Sequence, residues 1–497
     1  MGAINRAGKP ETVSLFCILI HSSDQTLNNP PINNQLFLRL IIDFSSDFVY
    51  NTKNTGEAHK NRGRKAMNDK KYIKRLFDGT VEFTLKSKGA LVIVGPKWCG
   101  KSTTANRYAK TVIDLMPLES RNAFIELAKI SPSNFLNYGP KPILIDEWQH
   151  VSFIWDQVKY EVDKTGEFGQ YILTGSVTDK AKSDMIDESS RHTGNGRIIR
   201  KKMRTLSLYE TGDSNGTVSL LDLKNGKFST AMSKKDINDY AYYICRGGWP
   251  VAIGKDREVS LAQAKDYYEV VVTDDIWSLK DIPLRRDEQK ARKLMRSYAR
   301  NVSIAAADTT LRDDLAGGDE SFDKDVFARY LNALRNLYVI DELPAWNPNL
   351  RSKTAIRTKE TRHFADPSIG AAALGITPEG LFRDITTFGL LFESLVVHDL
   401  RVYADTIGAH VYKYRDSKKR ESDAVIQFDD GSWALIEVKL GSEDDIRTAS
   451  ENLIRIASDI DSEKTGKAAF LMVVTKNKVA YRMENGVYVV PLCCLKN

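Results

Sequence analysis

Eight residues, Gly95-Pro96-Lys97-Trp98-Cys99-Gly100-Lys101-Ser102, follow the spacing G-x-x-x-x-G-K-S. That order of types suits a chain of phosphates. The two glycines let the backbone curl so that its N–H groups face inward, Lys101 brings a point charge to the β- and γ-phosphates, and the Ser102 hydroxyl is a ligand for Mg²⁺. Thr103 and Thr104 open a helical pattern whose positive end adds to the same field. An apolar run of strand length, Ala90 to Val94, precedes the loop, so both flanks agree with a phosphate cradle rather than a chance Gly-rich turn. Residues Gly95 to Thr103 are therefore the expected ATP-binding loop.

Pro142-Ile143-Leu144-Ile145-Asp146-Glu147 is a second apolar strand, and it ends in two acids. Asp146 would hold Mg²⁺ through water, and Glu147 would polarise the attacking water as general base. A third, Tyr171-Ile172-Leu173-Thr174-Gly175-Ser176, carries hydroxyls at its carboxyl end, which in a parallel sheet points into the nucleotide crevice. Thr174 or Ser176 would sense the γ-phosphate or orient water, or else the hydroxyls cap a following helix. The polar run Arg191 to Arg197 either supplies a charge to the phosphoryl transition state, with Arg197 preferred over Arg191, or is a solvated loop.

The tail holds a second constellation. Asp423 opens the run Ala424 to Phe428, Asp429-Asp430-Gly431 turns the chain, and Trp433 to Leu440 returns with Glu437 and Lys439 on one face. A three-residue loop with Gly431 left-handed pairs Phe428 with Ser432 and sets Asp423 opposite Glu437. A two-residue loop instead turns the two carboxylates to opposite faces. Side by side, they would hold one or two Mg²⁺ ions at a scissile phosphate, with Lys439 orienting water and Glu393 as a further ligand. The plainer alternative is a cross-face ion pair on a strand.

These motifs, Gly-Pro-Lys-Trp-Cys-Gly-Lys-Ser, Ile-Asp-Glu-Trp-Gln (145–149), Ile-Leu-Thr-Gly-Ser (172–176) and Arg-Gly-Gly-Trp-Pro (246–250), resemble the prokaryotic AAA-type ATPases fused to a conserved C-terminal domain of unknown function. The resemblance runs from about Met67 to the C-terminus. It implies an α/β P-loop NTPase core with a parallel sheet, a helical lid, a winged helix and a restriction-endonuclease-like end. Arg246 would then be a lid arginine reaching the nucleotide, or a member of the Gly247-Gly248 turn. About Gly389 to Val474 resembles the PD-(D/E)XK nuclease core.

The elements that must position these groups follow the same order. We expect a low-order extension over 1–66, an ATPase core over 67–205, a lid or connector over 206–285, a winged-helix-like part over 286–366 and the nuclease-like domain over 367–497. In the fourth part, Asp287 to Val302 shows one apolar helical face, and Thr309 would cap a second helix. Ser321 or Asp323 would start a third helix, bearing Lys324, Arg329 and Arg335. Tyr338 to Trp346 and Thr354 to Phe364, joined by a loop with Arg351 and Lys353, read as a hairpin. This module either touches DNA or packs between its neighbours.

A length of 497 residues corresponds to about three domains. The composition, 28% charged and 42% hydrophobic, excludes a disordered or disulfide-stapled chain. The net charge of +7 falls to +4 once residues 1–66, with 8 Lys+Arg and 5 Asp+Glu, are set aside, so charge is a poor argument for a nucleic-acid partner. Five cysteines without a C-x-x-C pair fit a reducing compartment and argue against zinc. No apolar run reaches the roughly 20 residues that span a bilayer, and the expected location is the cytoplasm. Two functions remain: an ATPase coupled to DNA binding or processing, with ATP and Mg²⁺ as cofactors, or a nucleotide-driven switch whose tail binds protein or nucleic acid without cutting. Residues 1–66 are rich in Asn, Ser and Thr, end in a basic run (Lys60 to Lys65), and hold no sustained period. Met67, before Asn68-Asp69-Lys70, reads as a helix start where a product could begin; a basic arm touching nucleic acid is the rival reading of the extension. Deleting 1–66 should leave ATP affinity unchanged in a calorimetric titration, and loss of binding would show that the extension takes part.

Overall fold

The computed structural model describes residues 72–175, 196–279, 287–316, 324–348, 359–416, 418 and 420–497. The expectations for 1–66, Met67, Ser176, Arg191, Ser321, Asp323, Arg351 and Lys353 lie outside the described residues. All contacts below fall within Ile73–Asn497, one compact unit.

Five short strands make the first sheet: β1 (Ala90–Val94), β2 (Thr111–Asp114), β3 (Ile143–Asp146), β4 (Tyr171–Thr174) and β5 (Ile198–Lys202), in the order β2-β3-β4-β1-β5. Every pairing is parallel. Parallel strands covered on both faces read as continuous apolar runs, which is why Ala-Leu-Val-Ile-Val is buried throughout. Alternate residues serve two cores. Val92, Ile145 and Leu173 pack with Trp148 and Val158 on one side, while Leu91, Ile93 and Ile172 pack with Val81 and Ala105 on the other. The register sets Asp146 beside Thr174 and Thr174 beside Ile93, so the strands all end at one edge.

Two short strands, β6 (Val218–Ser219) and β7 (Ala231–Met232), lead into a helical middle containing Ile237–Arg246, Arg257–Val270, Glu288–Arg300, Asp308–Ala316 and Lys324–Asn336. The faces expected from periodicity are buried: Leu294, Met295 and Tyr298 meet Phe327, Tyr330 and Leu334. Two expectations change. The second helix starts at Asp308, so Thr309 lies inside it rather than capping it. At the hairpin, the base is antiparallel as expected, with Ile340 opposite Phe364 and Leu343 opposite Thr361, but Ala345–Trp346 then leave as β8 to pair with a tail strand.

The tail is a mixed sheet of eight strands, β7-β13-β14-β12-β11-β10-β9-β8. Its members are β9 (Ala409–Arg415), β10 (Glu421–Phe428), β11 (Trp433–Lys439), β12 (Phe470–Thr475), β13 (Val479–Arg482) and β14 (Tyr488–Pro491). A last strand, β15 (Leu495–Lys496), pairs with β6. Ile385–Ala404 packs on one face through Phe392 and Val396, and Glu443–Asp459 covers the other through Leu453 and Ile456.

The segment after β5 joins the three regions. Asp341 lies buried between Lys202 (2.6 Å), Arg204 (2.9 Å) and Arg401 (3.1 Å). Burial alone would raise its pKa, but Arg204, Arg401 and Lys202 reverse this and hold the carboxyl well below its usual value. Removing one partner of a buried charge set leaves the rest uncompensated. Asp341→Ala should therefore cost about 3–5 kcal/mol in chemical denaturation, and a loss below about 1 kcal/mol would mean that the cluster behaves as an exposed ion pair.

Candidate functional site

The phosphate loop leaves the end of β1, and the helix Lys101–Tyr108 starts from Gly100, whose φ of 100° needs glycine. Gly95 is required for a different reason, because a Cβ there would lie 2.1 Å from the Met203 carbonyl oxygen. The Lys101 ammonium bridges the carbonyls of Gly95 (3.0 Å) and Pro96 (2.8 Å), inside the loop. Ser102 Oγ donates to Asp146 Oδ1 at 2.8 Å, and Thr174 Oγ1 donates to the same oxygen. Burial pushes the Asp146 carboxyl up from its ordinary value, against the hydrogen bonds from Thr174 and Ser102 that lower it. Hydroxyl and carboxylate oxygens side by side at the loop suit the hard-oxygen preference of Mg²⁺, so these residues fit a nucleotide-bound metal.

Glu147 follows in the left-handed region (φ 58°, ψ 44°), a costly state for a non-glycine residue. Its carboxylate accepts a hydrogen bond from Gln149 Nε2, while the Gln149 Oε1 is buried without a partner among the described residues. Arg197 is ion-paired with Asp163. Arg246 is buried, with one guanidinium nitrogen on Asp213 at 2.8 Å and another on the Gly247 carbonyl at 3.0 Å.

The helical middle also touches the loop. Lys97 is ion-paired with the buried Asp275, in the π-helical turn Val271–Asp275. Trp98, at φ 64°, sets its ring edge-on to Tyr267 at 5.6 Å, and Tyr267 stacks on Trp249 at 4.2 Å. From the amino-terminal side, Arg75 donates to the Cys99 carbonyl (2.8 Å) and the Arg204 carbonyl (2.8 Å), with its Nε on Glu210. Asp275, Tyr267, Trp249 and Arg75 are not among the expected site residues; Trp249 belongs to the Arg-Gly-Gly-Trp-Pro run, and nothing local in the sequence marks the other three.

In the tail the loop after β10 has three residues: Phe428 N donates to Ser432 O, Gly431 is left-handed at φ 87°, and Ala424 faces Ile436. Asp423 and Glu437 therefore share a face. Their surroundings differ from the expected metal set. Lys413, from β9, places its ammonium 2.9 Å from Glu393 Oε1 and 3.1 Å from Asp423 Oδ1. Asp423 Oδ2 accepts from Val438 N at 2.8 Å. Glu437 accepts from Lys439 (2.7 Å) and Asn452 (3.0 Å). Among the described residues no group of three or more His, Cys, Asp or Glu side chains is arranged to hold a metal ion. Glu393, Asp423 and Glu437 thus do not fit Mg²⁺ as placed, because donor groups already fill the space between them. The signal for Lys413 lay in the alternation of β9, whose inward positions are Ala409, Val411 and Lys413.

A family model described as an AAA domain matches residues 87–212. Models for two domains of unknown function, DUF8612 and DUF4143, match 237–380 and 388–495. The chain thus carries a P-loop AAA domain followed by two domains whose families have no assigned function. No curated protein matches. One similar solved structure, the Walker-type ATPase PABY2304 of Pyrococcus abyssi, shares 14% identity at a TM-score of 0.39, covering 61% of this chain and 96% of that one. At that score the likeness bears on neither fold nor activity. Among the described residues no helix is long and apolar enough to cross a membrane.

Arg75 braces the loop from outside the motif. Arg75→Met should weaken ATP binding about tenfold, near 1.4 kcal/mol, in a calorimetric titration. An unchanged affinity would mean that the loop keeps its shape without that brace.

Proposed function

We propose that the chain binds and hydrolyses Mg–ATP at the loop, and that the helical middle senses the nucleotide state through Lys97 and Trp98. The supporting observation is that two side chains inside the phosphate loop are held by Asp275 and Tyr267, more than 160 residues downstream by number. Incoming phosphates would compete with the Gly95 and Pro96 carbonyls for the Lys101 ammonium. The loop then changes partners, and the contacts of Lys97 and Trp98 change with it. Ser102 and Asp146 would hold Mg²⁺, which neutralises charge on the β- and γ-phosphates. Glu147 takes the proton from the attacking water, Thr174 orients that water, and Arg197, once released from Asp163, offers charge to the transferring group. The Asp213 pair supports the structural reading of Arg246.

For the tail, the observation of Lys413 between Glu393 and Asp423 favours the switch reading, in which ATP state alters what the tail binds, over Mg²⁺-dependent cleavage. DNA binding through the helix Lys324–Asn336 is less supported, since Arg335 is held by Glu342 at 2.9 Å and Asp325 sits in the first turn.

Lys101→Ala should abolish ATP binding. Glu147→Gln should retain binding and lose turnover by about a hundredfold or more, measured as phosphate release; normal turnover would remove Glu147 from the mechanism. Single-stranded, duplex and branched DNA should all survive incubation with the wild-type chain, with Mg²⁺ or Mn²⁺, with and without ATP. Cleavage that Asp423→Ala abolishes would reinstate the nuclease reading.

A further inference from the structure

In the tail, two carboxylates and a lysine from three elements meet, with the lysine between the acids. Glu393 comes from the helix Ile385–Ala404, Asp423 from β10 and Lys413 from β9. The last two meet where the register between β9 and β10 slips. Glu421 and Ser422 pair with Arg415 and Tyr414, but the register then slips, so that Val425 pairs with Tyr412. The extra residue re-aims the side chains at this point, as bulges near sites do. Asp423 therefore faces Glu437 across β11 and meets Lys413 across β9.

We propose that the Lys413 ammonium is the resident cation of this pocket, seated between Glu393 and Asp423 where a divalent ion would have to bind, so that the domain carries a nuclease-like frame without a catalytic metal. This rests on reading the tail as the non-cleaving arm of a nucleotide switch. A divalent ion needs carboxylate lone pairs converging on one point at about 2.0–2.1 Å for Mg²⁺. Here the converging oxygens of Glu393 and Asp423 are 2.9 and 3.1 Å from an ammonium nitrogen. The Lys413 side chain is only 11% exposed, so its charge is mostly withdrawn from solvent and held by the two carboxylates. A dication beside an ammonium at such short range would meet strong repulsion in a poorly screened site. Three of the remaining four carboxylate oxygens are also engaged, Asp423 Oδ2 by Val438 N and both Glu437 oxygens by Lys439 and Asn452. Lys439 stands 3.7 Å from Asp423, so two ammonium groups face the three carboxylates.

The test uses the full chain without nucleotide or DNA, with Mn²⁺ as the probe and electron paramagnetic resonance as the readout. Its outcome is then independent of whether the tail follows the ATP state, which only nucleotide experiments address. Wild type should bind no Mn²⁺ in a manner sensitive to Asp423→Asn. Lys413→Met, which keeps the stem and removes the charge, should gain a Mn²⁺ site at least tenfold tighter than any in wild type, and Lys413→Met with Asp423→Asn should lose it. Wild-type Mn²⁺ binding that Asp423→Asn or Glu393→Gln abolishes would overturn the proposal, as would a folded Lys413→Met chain that gains no site. If Lys413→Met fails to fold by circular dichroism, the comparison of wild type with Asp423→Asn and Glu393→Gln decides alone.

Discussion

The segment from Lys202 to Leu208 is the constraint on which the described structure depends. It leaves the edge strand of the first sheet, and its residues are claimed by neighbours from the phosphate loop, the helical middle and the tail. Lys202 and Arg204 are held by Asp341, the Met203 carbonyl abuts Gly95 and accepts from the Cys99 thiol, and Thr205 donates to Asp366. Leu206 exchanges backbone contacts with Gly248, where a Cβ would lie 2.0 Å from the Leu206 oxygen, and Leu208 N donates to Asp399. A chain segment with buried charges and backbone groups committed on every side has few alternative positions, because each displaced group would be left unpaired away from water. The phosphate loop, the helical middle and the tail are thereby referenced to one stretch of backbone.

Against that fixed reference the loop itself is strained and externally held. Trp98 and Glu147 both occupy the left-handed region without being glycine, one in the loop and one at the end of β3. Such conformations persist where surroundings over-determine them. For Trp98 the surroundings are Tyr267 and Trp249, and for its neighbour Lys97 they are Asp275. Of these two strained positions, Trp98 meets the helical middle, and Glu147 is the residue to which the proposed mechanism gives the attacking water. A ligand shifts a conformational equilibrium only by its differential contacts with the two states. Phosphates that draw Lys101 off the loop carbonyls supply that difference where the middle domain already has a grip.

Much of this could be read before any coordinates. The loop, Asp146 and Thr174 end apolar strands of a parallel sheet, and one rule about strand ends brings them to the same crevice. The pairing of Asp423 with Glu437 was narrowed to two registers by counting back from Gly431, and only the left-handed turn decided between them. The rest depended on contacts that carry no local signature. Asp275 and Tyr267 are ordinary helix residues until the fold sets them against Lys97 and Trp98. The alternation of β9 turns Lys413 inward, but its meeting with Asp423 lies at a register slip between β9 and β10 that the sequence pattern does not show. Among the described residues of the hairpin only the outer end of the first strand departs from expectation, since Ala345 and Trp346 alternate like a hairpin strand but pair with β9.

In the proposed switch the helical middle reads the phosphate loop through Lys97 and Trp98. Amide hydrogen exchange over Val271–Asp275, with and without Mg–ATP, tests it most directly. Protection in this π-helical turn should change when nucleotide binds, and Lys101→Ala should remove the change. Exchange that stays constant there, while the helix Lys101–Tyr108 gains protection from bound nucleotide, would contradict it.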